Sequence, residues 1–141
     1  LNWNDSWAGY PAARRRMLES ISASGANNPV ILGGDIHAFI ASDQRIDPRD
    51  SKSPIVTSEF VTTSVTSGPP PKKVIEAYNR SDAIGVHYAE RDYRGYLRLE
   101  VSAERLNAEM IGFASVRENE ASPTTIAKFV IDDGQRGIQR L

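Results

Sequence analysis

The sequence predicts an α/β (α+β) fold that becomes β-rich in its second half. Three observations carry this prediction. Residues 10–21 show helical spacing and run into a short apolar segment at residues 29–32. A second strand-like segment spans Ile55 to Val65. From Leu97 onward apolar and polar residues alternate, the period-2 signature of strands with one wet face.

Tyr10, Ala13, Met17, Leu18 and Ile21 recur at helical spacing, and Pro11 suits a first helical turn. Arg15 and Glu19 fall on the outer side, and the polar stretch Ser24 to Asn28 ends the helix. Pro29-Val30-Ile31-Leu32 reads as a short buried strand that stops at Gly33-Gly34. Asp43 to Ser53 is polar, contains Asp47-Pro48, and reads as a loop. Ile55 to Val65 is rich in β-branched and aromatic residues, and alternation puts Glu59 on the face of Ile55, Val61 and Val65. Ser67 to Pro71 breaks this strand, and Lys72 to Arg80 predicts a short surface helix. Leu97, Leu99 and Val101 alternate with Arg98 and Glu100. Leu106, Ala108 and Met110 alternate with Asn107 and Glu109, so Ser102 to Arg105 predicts a hairpin turn. A last strand, Thr125 to Ile131, ends at Asp132-Asp133-Gly134.

Composition narrows the function classes. The length of 141 residues suits one domain with a substantial core. Seventeen basic residues nearly balance eighteen acidic ones, so no charge field points to nucleic acid. No apolar run approaches the roughly 18–20 residues of a membrane span. The chain has no cysteine, which rules out disulfides and thiolate ligands within it. It begins at Leu1 without the pattern of a targeting peptide, so residues 1–141 are expected to be a single domain or a fragment of a longer protein.

Leu32-Gly33-Gly34-Asp35-Ile36-His37 is the segment richest in chemistry. A strand tip is rigid, glycine permits a sharp turn, and carboxylate and imidazole both bind first-row cations. In an extended segment the two side chains would point to one side. The alternative is a loop aspartate capping a turn beside an ordinary exposed histidine. Four further segments carry candidates, each with a structural reading. Asp5-Ser6-Trp7-Ala8-Gly9-Tyr10-Pro11 to Arg14 is either a hydrophobic anchor or a pocket wall with Arg14 reaching an anion. Glu59 is either a solvated edge-strand acid or a buried one paired with an arginine such as Arg14. His87, in Ile84-Gly85-Val86-His87-Tyr88, reads as structural or solvated, and the hydroxyl-rich stretch Thr62 to Gly68 reads as a plain strand.

Taken in series, Asp5-Ser-Trp-x-Gly-Tyr-Pro-x-x-Arg14, Leu32-Gly-Gly-Asp-Ile-His37, Glu59-Phe-Val-Thr-Thr-Ser-Val-Thr-Ser-Gly68 and Arg94-Gly-Tyr96 resemble the C-terminal part of PhoD-like alkaline phosphatases, from roughly Trp3 to Gly137. The resemblance implies the C-terminal portion of a metallophosphoesterase four-layer α/β/β/α sandwich, and hydrolysis of phosphate monoesters, diesters or both. It implies an iron and calcium centre, with His37 on iron and Asp35 on a neighbouring calcium, while Tyr10, Arg14 and Glu59 contact substrate or brace the site. It also implies a periplasmic or secreted location. The family's early aspartate, ligand cysteine and asparagine do not occur here. The chain is therefore expected to complete a site built mostly by a missing N-terminal part, to be inactive alone, and to self-associate through exposed edges. The competing readings are a non-catalytic β-rich binding or assembly module and a metal-dependent nuclease or phosphodiesterase.

Overall fold

The computed structural model describes residues 6–80, 85–118 and 120–141. Trp3, Asp5 and Ile84, which belong to segments singled out above, lie outside the described residues. A 3-10 turn at Trp7–Gly9 leads into helix α1, Pro11–Ala23. Strands β1 (Val30–Gly33), β2 (Phe39–Arg45) and β3 (Ile55–Val61) follow, then helix α2 (Lys72–Asn79) and strand β4 (Val86–Glu90). The rest is β: β5 (Arg94–Val101), β6 (Arg105–Phe113), β7 (Thr124–Asp132) and the short β8 (Gln139–Arg140). The first sheet runs β1-β3-β2-β4 and the second β5-β6-β7-β8. Only the β1–β3 pairing is parallel.

Alternation decides which side chains fill the space between the sheets. Phe39, Ala41 and Phe60 of the first sheet meet Ala108, Met110, Ala127, Phe129 and Ile131 of the second. Phe60 and Phe129 pack with ring centroids 5.8 Å apart. The opposite face of the first sheet is covered by both helices. Ile75 of α2 is buried on Ala38, Ile40, Val61 and Ala89, so the predicted surface helix is amphipathic and contributes to the core. Leu18 of α1 is fully buried. The outer face of the second sheet is polar, with Glu109 between Arg98 and Lys128 on neighbouring strands. The described residues thus form an α/β/β stack, in line with the α/β reading and its β-rich second half.

Two expectations are corrected. β1 is not a buried strand. It sits at the sheet edge, paired only with β3, and Leu32 is 59% exposed. The polar start of the expected loop, Asp43 to Arg45, instead ends β2, the strand flanked by β3 and β4. Its polar residues are tolerated because each finds a partner. Asp43 accepts from Ser58 Oγ and the Ile138 amide, Ser42 donates to Glu59, and Gln44 is held between Arg14 and Glu59. A fold-wide staple escapes sequence reasoning as well. Asn28, at φ 44°, donates to the carbonyls of Asp132 and Gln135 and accepts from the Gly134 amide. It docks the turn after β7 against the entrance to β1.

Gly95 lies opposite Gly112 in the β5–β6 ladder. A Cβ on Gly95 would lie 1.9 Å from the Ile111 carbonyl oxygen, and one on Gly112 would strike the Tyr93 side chain at 2.8 Å. Because the first obstruction is backbone, no rotamer relieves it. Gly95→Ala is expected to destabilise the chain by about 3 kcal/mol in urea titration, the upper range for overpacking. A variant with an unchanged midpoint would refute the close approach.

Candidate metal-ligand loop

Strand register gathers three loops at one end of the first sheet. β1 and β3 run parallel, with Gly33 opposite Val61, and Val61 is opposite Ile40 near the start of β2. Phe39 of β2 pairs with Glu90 at the end of β4. The segment after β1, the segment after β3 and the corner between β4 and β5 therefore emerge together. This is the carboxyl end of the parallel pair, where open α/β sheets bind ligands. The Thr62 amide donates to the Gly33 carbonyl at 3.0 Å, tying the first two together.

The loop from Gly34 to His37 is not extended. Ile36 N–H donates to the Gly34 carbonyl at 2.7 Å, closing a three-residue γ-turn around Asp35 at φ 64°. His37 also has a positive φ, 58°. Two non-glycine residues in this region within three positions store backbone strain, a feature that clusters at functional sites. The strand-alternation route to a common direction for Asp35 and His37 thus does not apply, since a turn sets their directions instead.

The donor chemistry of both residues fits a cation. His37 Nδ1 lies 2.9 Å from the Gly68 carbonyl. A carbonyl only accepts, so Nδ1 carries a proton, and in the neutral ring Nε2 then keeps its lone pair for a ligand. Asp35 is exposed and its carboxylate has no side-chain hydrogen bond among the described residues. No group of three or more His, Asp or Glu side chains suited to an ion occurs among the described residues. Two donors fit a part-site, and a complete shell needs ligands from elsewhere.

The segment after β3 is fixed by Arg94. This side chain is only 7% exposed and donates from Nη1 to Ser64 Oγ (3.1 Å) and the Ser67 carbonyl (2.8 Å). Nε donates to the Tyr93 carbonyl at 2.9 Å, and Nη2 donates to the Arg91 carbonyl. Thr63 Oγ1 donates to the Tyr93 carbonyl at 3.2 Å, joining the same two segments. Thr62 Oγ1 is buried without a partner in this corner. Sequence reasoning registered Arg94 only as part of a motif, because its acceptors are carbonyls that no side-chain pattern announces.

The remaining candidates lie away from this loop, Glu59 on β3 and Arg14 and Tyr10 at the start of α1. Arg14 donates to Gln44 Oε1 (2.7 Å) and to the carbonyls of Arg45 and Ile46 at the far end of β2. That is five residues from Ile40, on the order of 16 Å. Tyr10 is 62% exposed on the approach to α1. Glu59 lies on β3, flanked by β1 and β2, so it is not an edge residue. It pairs with Arg14 through Gln44, whose Nε2 donates to Glu59 Oε2 at 2.7 Å. Trp7, Arg14, Met17, Leu18, Ile31, Gln44 and Glu59 enclose a pocket of about 50 Å³. Glu59 Oε1 would lie 3.9 Å from a Cβ built on Gly33, so this network backs the strand that carries the loop.

Burial raises the Glu59 pKa above its ordinary 4.5, opposed by the Ser42 hydrogen bond, Arg14 and Gln44. Burial likewise lowers that of Arg14, opposed by Glu59. A raised carboxyl pKa means the native chain holds its proton longer than the unfolded chain. Stability is then full below 4.5 and falls as pH rises through the raised value. Glu59→Gln keeps an acceptor for Gln44 and removes that loss. It is expected to raise Tm at pH 8 relative to wild type by about 1–3 °C and leave pH 4 unchanged. Equal melting differences at both pH values would contradict it.

Comparison with known proteins bears on the family. Residues 1–110 match the family model of the PhoD-like phosphatases. The chain is 36% identical to alkaline phosphatase D of Bacillus subtilis (strain 168), covering 97% of this chain and 24% of that protein. A solved structure of PhoD superposes with a TM-score of 0.81 at 33% identity, covering 97% of this chain and 26% of the other. The chain therefore spans about a quarter of the length of the relatives it matches.

Proposed function

Because the chain belongs to the PhoD-like phosphatase family, we propose that it supplies part of the metal site with which a longer protein hydrolyses phosphate esters. The observation that carries this reading is the state of His37. Its Nδ1 lies 2.9 Å from the Gly68 carbonyl, which leaves Nε2 of the neutral ring as a donor, on a strained loop shared with Asp35, whose carboxylate has no hydrogen bond among the described residues. In this reading His37 holds iron and Asp35 a neighbouring calcium. Bound cations there would neutralise phosphate oxygens and lower the pKa of a water.

The chain's own residues hold the donors in place. The γ-turn fixes the Asp35 backbone, the Gly68 carbonyl fixes the His37 ring, and the Glu59–Gln44–Arg14 network braces β1 from behind. The N-terminal part of the same protein supplies the other ligands, which agrees with the two-donor set among the described residues. Monoesters and diesters are both candidate substrates, and the parent protein is periplasmic or secreted. Edge strand β1, with Leu32 exposed, is the surface through which the isolated chain would self-associate.

The test sets the 141-residue chain beside the full-length protein on a phosphate monoester, a diester and DNA, with metal analysis of both. The expected result is metal-dependent ester hydrolysis by the full-length protein alone. Comparable turnover by the fragment would remove the part-site reading. A full-length protein without metal would favour a binding or assembly module, and preference for DNA would favour a nuclease.

A further inference from the structure

We propose that Arg94 is a positioning residue for the metal-ligand loop, acting through the segment after β3 to hold His37 in its ligand tautomer. This rests on the reading of His37 as a ligand. The chain of contacts is continuous. Arg94 Nη1 holds both Ser64 Oγ and the Ser67 carbonyl, and Ser64 Oγ itself donates to that carbonyl at 2.7 Å. Fixing the Ser67 carbonyl fixes the peptide plane that leads into Gly68. The Gly68 carbonyl is the acceptor of His37 Nδ1. The Gly95 amide adds a bond to the Ser64 carbonyl at 3.4 Å.

The choice of arginine follows from the acceptors. All of its hydrogen bonds go to carbonyls or a hydroxyl, and none to a carboxylate. A guanidinium spans acceptors on two segments with a rigid fork, which a single ammonium does not. A nearly buried cation without a hydrogen-bonded counterion is a costly way to tie down a loop. Its placement is explained if the position of the tied carbonyl matters. The role is that of an outer partner that orients a ligand ring, whose loss typically weakens metal binding about 10–100-fold.

The experiment uses the full-length protein that carries this chain, with Arg94→Met, Arg94→Lys, Ser64→Ala and His37→Ala variants. Two quantities are read: the ring nitrogen shifts of His37 in metal-free, ¹⁵N-histidine-labelled protein at pH 8, and the affinity for Co²⁺ as probe. Wild type is expected to show a protonated Nδ1 and a bare Nε2. Arg94→Met is expected to lose that preference and to weaken Co²⁺ binding about 10–100-fold, with Arg94→Lys recovering only part. If Arg94→Met does not fold, Ser64→Ala removes one of the two groups that hold the Ser67 carbonyl, the other being Arg94 Nη1. It is expected to weaken Co²⁺ binding about 3–10-fold. A wild-type ring signal in Arg94→Met, even with a lowered Tm, overturns the proposal, as does an unaltered signal in Ser64→Ala. His37→Ala separates the two readings. If it leaves Co²⁺ binding intact, the ligand reading fails, while the ring shifts still decide whether Arg94 holds the tautomer.

Discussion

His37→Ala in the full-length protein is expected, under the ligand reading proposed above, to lower bound metal and to reduce phosphate-ester hydrolysis on the order of 10³-fold, the scale of several kcal/mol of transition-state charge stabilisation. Of the two imidazoles in the chain, only His37 presents a free nitrogen at the carboxyl ends of β1 and β3. His87 directs Nε2 at Asp43 Oδ2, 2.7 Å away. Loss of His37 therefore cannot be covered by its neighbour, and His87→Ala is expected to leave metal content unchanged. The backbone complicates a simple alanine reading, because φ 58° penalises alanine for reasons unrelated to metal. His37→Asn is the control, since asparagine tolerates that conformation and offers no imidazole. Both variants should lose metal equally. Wild-type metal content in His37→Asn would show that the loop does not hold an ion.

The loop was legible in the sequence, but its geometry was not. An apolar run ending at Gly33-Gly34 before Asp35 and His37 announces a strand tip with two donors, because strand termination and donor type are local properties. The γ-turn, the positive φ of both residues and the Gly68 acceptor depend on a segment some thirty residues downstream, held in turn by Arg94. The same division holds for the fold. α1, β3 and the β5–β6 hairpin follow from periodicity. The end of β2 escaped because Asp43 and Gln44 read as loop-formers until Ser58, Glu59 and Arg14 are present to satisfy them. The burial of β1 was overread for the complementary reason. An apolar run specifies a strand but does not say how many neighbours it has, and β1 has one.

Asp43→Ala tests the most concentrated of these long-range dependencies, and it is expected to cost about 3–5 kcal/mol, because it leaves two buried donors unpaired at about 1–3 kcal/mol each. Asp43 is 4% exposed on the inner face of β2. Oδ1 accepts from Ser58 Oγ at 3.0 Å and from the Ile138 amide at 3.1 Å, and Oδ2 faces His87. One carboxylate thus joins β2, β3, β4 and the lead into β8, bridging the two sheets. Gly137, at φ 112°, passes so close that a Cβ there would lie 3.4 Å from Oδ2. Alanine would leave a buried hydroxyl and a buried amide without acceptors, against a total stability of only about 5–15 kcal/mol for a typical domain. Asp43→Asn keeps an acceptor for Ser58 and Ile138 and removes the charge, so it is expected to cost only about 1–2 kcal/mol. A double-mutant cycle with His87→Ala isolates the pair, with a coupling above about 1 kcal/mol expected in urea titration. Because Asp43 lies about 13 Å up β2 from the loop end of the strand, the surviving folded fraction of the full-length protein should keep the metal content of wild type. A cost below about 1 kcal/mol for Asp43→Ala would show that the sheets are held by their apolar faces alone, and a cycle with no coupling would show that the His87 contact within the first sheet adds nothing.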